Sequence, residues 1–375
     1  MLLSQGFVMI SIKKYMSELK QFLDCTVGIL NYDGIVIDST DNEMLDTKDE
    51  NISAVLLAGN HIVKIGTKSY KLIEAKGHAP LAIFITGTDK AAENYLELIS
   101  RCLAASIRED NDYHLKEAFL KNVLLENELP GDIALKAKEF DIPYAAPRVV
   151  MLVKGQSVDS LTLIKTLNEI FPADESNYVL PLDENTIALL LDASENSELD
   201  AYEELAREIL AQLVTDHLIS ARIGIGLLAD TLKDAARSYR EAAVSLTVGK
   251  IFEPASYLMR YDRLGLGRLI YQLPPTLCEM FLQEVFKPGA YEALDRETQT
   301  TISKFFENSL NGSETSRQLF VHRNTLVYRL DKVQKITGLD LRNFDDAVLF
   351  KLAAMVKRYL ERKDSSRYSE QDSWW

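Results

Sequence analysis

Residues 316–330, Ser316-Arg317-Gln318-Leu319-Phe320-Val321-His322-Arg323-Asn324-Thr325-Leu326-Val327-Tyr328-Arg329-Leu330, read as a short polar helix, a tight turn and the start of a longer amphipathic helix. Leu326, Leu330, Val333 and Ile336 recur at spacings of four, three and three, which predicts one buried helical face running from near His322 to Thr337. Gly338 is placed to end that helix in the left-handed conformation glycine tolerates. Upstream, Ser313 is the expected cap of the short helix Glu314–Leu319, and Phe320-Val321 form the turn. Before it, Thr301, Ile302, Phe305 and Phe306 stripe a helix ending near Asn308, followed by the turn Asn311-Gly312.

A short helix, a tight turn and a second helix with polar residues crowded into its first turn is the layout of a helix-turn-helix. Asn324, Tyr328, Asp331, Lys332 and Lys335 point away from the apolar stripe, and His322, Arg323 and Thr325 sit at the exposed N-terminus. In a DNA major groove Arg323 can pair bidentately with guanine and Asn324 with adenine, while Thr325 reaches a phosphate or a base edge. Arg317, Arg329, Lys332 and Lys335 supply sequence-independent attraction to phosphates. Taken alone, the same residues also suit a helical bundle whose polar side chains solvate its surface.

The string from Ser316 to Leu330, followed by Thr337-Gly338-Leu339-Asp340, closely resembles the C-terminal helix-turn-helix of PucR/CdaR-type bacterial transcription regulators. The resemblance covers about Leu294 to Leu360 and extends to the Fis-type helix-turn-helix group. It implies double-stranded operator DNA as partner, an unidentified small-molecule effector, and a homodimer or higher homo-oligomer. Val327 departs from the family pattern, which has a basic residue there, and so puts one phosphate or base contact in doubt.

Working outward, Arg222 to Gly226 followed by Ala236-Arg237-Ser238-Tyr239-Arg240-Glu241-Ala242 is similar to the GGDEF-like domain of the same family. The pattern around it alternates: strand Arg148 to Lys154, helix Ser160 to Ile170, a central hairpin Tyr178 to Leu191, helix Asp200 to His217, strand Arg222 to Leu227, helix Leu232 to Val248 and strand Tyr257 to Tyr261. That is a ferredoxin-like α/β sheet. Nucleotide cyclases of this fold carry Gly-Gly-Asp/Glu-Glu-Phe in the hairpin and a metal-binding Asp on the first strand. This chain has Pro181-Leu182-Asp183-Glu184-Asn185-Thr186 and Val153-Lys154-Gly155 instead, so the resemblance implies a degenerate, catalytically silent domain.

The N-terminal segment mixes a helix, Tyr15 to Phe22, with strand-like runs Cys25–Leu30, Ile35–Ile37, His61–Ile65, Tyr70–Ala75 and Leu81–Thr86. Its Asn31-Tyr32-Asp33-Gly34 hairpin resembles PAS-type or GAF-type sensory sheets. Between the two sheets, Tyr95, Ile99, Cys102 and Ser106 predict a helix that Arg108-Glu109-Asp110-Asn111-Asp112 breaks in two. The expected organisation is a multidomain α+β chain. It has a PAS/GAF-like sensory domain at 1–88, signalling helices at 89–129, the GGDEF-like domain at 130–272, an all-α helix-turn-helix domain at 273–363, and a disordered tail at 364–375 that holds Trp374 and Trp375.

Composition narrows the function classes. Hydrophobic residues are 47% and charged residues 26% of 375, which excludes a disordered or collagenous chain. The net charge is −14, yet Asp295 to Lys363 holds 13 Lys and Arg against 9 Asp and Glu, a net +4 that leaves −18 for the remainder. A weakly basic module rides on an acidic body. No apolar run approaches the roughly 18 residues that span a bilayer, and Cys25, Cys102 and Cys278 are too few and too scattered for a disulfide framework. A cytoplasmic protein is expected, without membrane contact.

His61, His78, His114, His217 and His322 show no metal-binding spacing, and neither Gly155-Gln156-Ser157-Val158-Asp159, Gly224-Ile225-Gly226 nor Gly265-Leu266-Gly267 completes a catalytic or nucleotide motif. No metal, cofactor or enzymatic activity is expected. Two rivals to a DNA-binding regulator stay open at this stage: a signalling nucleotide cyclase or phosphodiesterase built on the middle domain, and an interaction adaptor whose helix-turn-helix does not touch DNA.

Overall fold

Val27–Leu30 (β1) and Val36–Ser39 (β2) are joined by Asn31-Tyr32-Asp33-Gly34, where Gly34 takes φ +83° and the Asn31 side chain accepts the Asp33 and Ile35 amides at 3.0 and 2.8 Å. The structure, a computed structural model, describes residues 12, 15–17, 19–20, 22–73, 79–171, 176–194 and 198–371. Tyr15, Met16, Ser17 and Leu19 of the expected first helix are helical, and the rest of that segment falls partly outside the described residues. The chain divides into two compact units, Met1–Leu120 and Lys121–Trp375.

In the first unit a helix Ile52–Ala58 (α1) precedes Val63–Ile65 (β3), Lys68–Ile73 (β4) and Leu81–Thr86 (β5). The strands form an antiparallel sheet in the order β2-β1-β5-β4-β3. Alternation along the strands sends Val27, Ile29, Ile83 and Ile85 to one face and Leu30, Tyr70, Leu72 and Phe84 to the other. Ile52 and Val55 of α1 cover the second face. The segment expected to hold a PAS/GAF-like sheet is thus a mixed α+β sheet domain.

Lys90–Leu124 (α2) is one continuous helix, so Arg108 to Asp112 do not break it. None of those five residues is Gly or Pro, and charged residues cost a helix only tenths of a kcal/mol each. Its buried stripe is Ala92, Leu96, Ile99, Leu103 and Ile107, which packs on the first sheet face. Tyr95 and Cys102, expected on that stripe, are exposed. The start of α2 is therefore part of the sheet's own core and not a free linker.

In the second unit Ile133–Glu139 (α3) leads into Arg148–Gly155 (β6), Ser160–Ile170 (α4), Tyr178–Pro181 (β7), Thr186–Asp192 (β8), Leu199–Thr215 (α5), Ala221–Ile225 (β9), Ala235–Phe252 (α6) and Leu258–Arg260 (β10). The sheet order is β10-β9-β6-β8-β7, with β10 and β9 parallel and the other pairs antiparallel. The hairpin β7–β8 therefore forms one edge, and the continuous apolar run of β6 holds the centre. Val149, Met151 and Val153 face Leu163 and Leu167 of α4 and Ala206, Ile209 and Leu213 of α5.

On the opposite face α6 approaches β9 so closely that a Cβ on Gly226 would lie 2.0 Å from the Ser238 carbonyl oxygen, and one on Gly224 2.4 Å from that of Ala242. These glycines serve packing, as does Ser238, whose buried hydroxyl accepts the Val150 amide at 3.0 Å. Gly267 likewise lets a following helix lie against Phe252 and Val248. The Gly155 to Asp159 segment is a strand-ending turn in which Asp159 caps α4 by accepting the Thr162 amide at 2.8 Å.

The remaining helices are Leu266–Gln272 (α7), Pro275–Val285 (α8), Arg296–Glu307 (α9), Gly312–Gln318 (α10), Arg323–Thr337 (α11) and Phe344–Gln371 (α12). Packing continues across Leu273-Pro274: Ile251, Ile270, Cys278, Val356 and Tyr359 share one cluster that ties α6, α7, α8 and α12 together. The tail expected to be disordered from Asp364 continues α12 to Gln371, since Lys363 to Arg367 contain neither Gly nor Pro. Trp374 and Trp375 lie outside the described residues.

Candidate nucleic-acid interface

Three helices build the C-terminal core. Leu326, Leu330 and Val333 of α11 are buried against Ile302 and Phe305 of α9 and Phe350 and Ala353 of α12, with Ile336 partly buried beside them. The stripe read from the sequence is thus the packed one. The cap of α10 differs from expectation: the Asn311 side chain, not Ser313, accepts the Ser313 and Glu314 amides, both at 3.1 Å. Asn and Ser are near-equal caps, so two such residues two positions apart leave the choice to the turn. Phe320 and Val321 connect α10 to α11, and Gly338 ends α11 at φ +84°.

The expected contact residues fall into two groups. Arg323, Asn324, Thr325, Tyr328 and Lys335 are exposed, and their side chains make no hydrogen bond or ion pair with any described residue. His322 is exposed and caps α11, its Nδ1 accepting the Asn324 amide at 3.2 Å, which leaves Nε2 as the nitrogen that can carry a proton.

The second group is engaged. Arg317 forms a fork with Glu314 on its own helix, Nε and Nη2 lying 3.0 and 2.5 Å from the carboxylate oxygens, which raises the guanidinium pKa and lowers that of Glu314. Arg329 turns inward: its side chain is 14% exposed, pairs with Glu297 and donates to the Thr301 hydroxyl at 3.0 Å. Lys332 pairs with Asp295, the N-cap of α9. That ammonium, helped by the Thr298 hydroxyl and amide, holds the Asp295 carboxyl well below the ordinary range, and Asp295 in turn raises the Lys332 pKa. Arg342 lies 2.8 Å from Asp331 and so balances an acidic side chain on the outer face of α11.

Asp295 and Glu297, which position α11 through Lys332 and Arg329, were not legible as partners. They lie 37 and 32 residues away in the chain, and no local signal links them.

The middle sheet presents little chemistry. At the hairpin turn the Asp183 carboxylate accepts the Asn185 amide at 2.9 Å, and burial followed by the charge of Asp183 raises the Tyr239 pKa. The space a backbone glycine would leave at Gly155 is filled by Val158 and Leu163. Among the described residues no group of three or more His, Cys, Asp or Glu could hold a metal ion. No described helix is long and apolar enough to cross a membrane.

Residues 299–356 match the family model described as the PucR C-terminal helix-turn-helix domain, and residues 126–248 match the GGDEF-like domain. The chain carries the helix-turn-helix and GGDEF-like domains found together in PucR/CdaR-type regulators, and it is a DNA-binding transcription regulator. It is 25% identical over 367 residues to the carbohydrate diacid regulator of Escherichia coli, covering 90% of this chain and 94% of that protein. Similarity to the Bacillus subtilis purine catabolism regulatory protein is 25% over 183 residues, 47% of this chain and 34% of that one. The proline-responsive transcriptional activator PutR of the same organism is 26% identical over 182 residues, 46% of this chain and 43% of PutR. In this chain the match to the helix-turn-helix model begins within α9, spans α10 and α11 and reaches into α12.

Proposed function

We propose that this regulator reads a metabolic operator through the first turn and outer face of α11. Arg323 and Asn324 contact base edges, Thr325 and His322 flank them, and Lys335 contacts phosphate. Arg329 and Lys332 hold α11 on α9. The observation that carries this reading is the division of the polar residues: those at the N-terminal end of α11 are exposed and unpartnered, while Arg329 is consumed within the fold.

The protein acts in the cytoplasm as a homodimer whose two readers match half-sites about 34 Å apart, and a small-molecule effector bound to the N-terminal unit shifts their spacing. The GGDEF-like sheet is a catalytically silent scaffold. Product formed from a nucleoside triphosphate and magnesium would contradict that part.

The contact assignment is tested on two duplexes, one enriched from a random pool by the full-length chain and one unrelated duplex of equal length. Arg323→Ala costs about 1–3 kcal/mol on the enriched duplex and little on the other. Lys335→Ala weakens both alike and reduces the salt slope by about 1. Equal, sequence-blind losses from both variants would place the base-reading face elsewhere.

A further inference from the structure

Phe320 holds a left-handed backbone in the turn of the reader while its side chain is exposed. Its backbone lies at φ +54°, a region where the Cβ of a bulky residue crowds the following carbonyl. Its amide reaches the Arg317 carbonyl at 3.2 Å and the Val321 amide reaches Ser316 at 3.0 Å, a helix ending that glycine normally supplies. The residue Phe320 is 96% exposed. Leu310, in the preceding turn, has a similar backbone at φ +64°, but its side chain packs against the reader's core.

The position of Phe320 indicates what it meets. It lies two residues ahead of the cap of α11, beside the unpartnered Arg323, Asn324 and Thr325. In the major groove those polar side chains meet the hydrogen-bonding edges of the bases. The group displayed there that suits an exposed aromatic ring is the 5-methyl of thymine.

We propose that Phe320 is a specificity-determining residue whose ring rests against the methyl group of a thymine in each half-site. This rests on the reading of α11 as the base-contacting helix. Leu218, just after α5, supplies a matched control: it has φ +57° and is 89% exposed, but belongs to the GGDEF-like segment.

The test uses the full-length protein and the duplex it enriches from random sequence, with each thymine replaced in turn by deoxyuridine, which lacks only the methyl. At one thymine per half-site the wild type loses about fourfold in affinity, the factor that burial of one methyl supplies. Phe320→Gly binds the thymine and deoxyuridine duplexes equally, at the reduced affinity, while its unfolding midpoint is no lower than wild type. Phe320→Leu keeps part of the discrimination, and Leu218→Gly binds as wild type.

Three outcomes overturn the role of Phe320 while leaving the reader intact: unchanged affinity in Phe320→Gly, a loss equal on enriched and unrelated duplexes, or undiminished discrimination between thymine and deoxyuridine. Failure of the wild type to enrich any sequence would instead remove the reading of α11 and this proposal with it.

Discussion

Arg329→Met separates a structural cation from a DNA-contacting one. The guanidinium of Arg329 is shielded on α9, where it donates to the Thr301 hydroxyl at 3.0 Å and pairs with Glu297. The substitution removes a charged hydrogen bond worth about 1.5–3 kcal/mol. Glu297 is 71% exposed, so its half of the ion pair adds no more than about 1 kcal/mol. Methionine keeps much of the apolar stem, and Thr301 stays satisfied because its hydroxyl donates to the Glu297 carbonyl at 2.9 Å. The expected loss is therefore about 2 kcal/mol of stability in the reader.

Two assays read this prediction. Hydrogen exchange across residues 323–337 should quicken in Arg329→Met. The slope of log affinity against log salt should stay at the wild-type value, since a lost phosphate contact would lower it by about 0.9. Lys335→Ala should behave in the opposite way, with a lower slope and unchanged exchange. An Arg329→Met variant with wild-type exchange and a slope reduced by about one would refute the inward placement.

Asp295→Asn keeps a capping oxygen for the Thr298 amide but removes the charge that faces Lys332. Because the folded carboxyl lies below its ordinary value of 3.8, its contribution is fully present above that pH and is lost as pH falls through the lower folded value. The stability gap between wild type and variant should therefore close in strong acid, as read by unfolding midpoints from pH 6 downward; a constant gap would contradict the pairing. Gly226→Ala would place a methyl 2.0 Å from the Ser238 carbonyl oxygen and dislodge the hydroxyl that accepts Val150 N–H, costing about 3 kcal/mol. Urea denaturation checks this, and a loss under about 1 kcal/mol would mean that α6 can shift freely.

What the sequence made legible follows local periodicity. The stripe of Leu326, Leu330 and Val333, the helix Ser160–Ile170, the apolar run of β6 and the terminating Gly338 each announce themselves within a few residues. Short helices such as α1 and α3, seven residues each, span too few turns to show a period. The continuity of α2 was hidden because a charged cluster resembles a loop in composition yet contains no residue that stops a helix. Three of the expected phosphate contacts could not be sorted from the free ones. The carboxylate opposite Arg329 or Lys332 is set by how α9 packs on α11, and the Glu314 that holds Arg317 was a matter of rotamer. The conformation of Phe320 was equally invisible, because its sequence neighbourhood names a turn without naming its backbone angles.

The central claim is that the N-terminal turn of α11 reads bases. Selection of random-sequence duplexes by the full-length chain, run beside Arg323→Ala, tests it most directly. An enriched motif that Arg323→Ala erases while still retaining DNA is the expected result. A motif that survives Arg323→Ala unchanged would contradict the account.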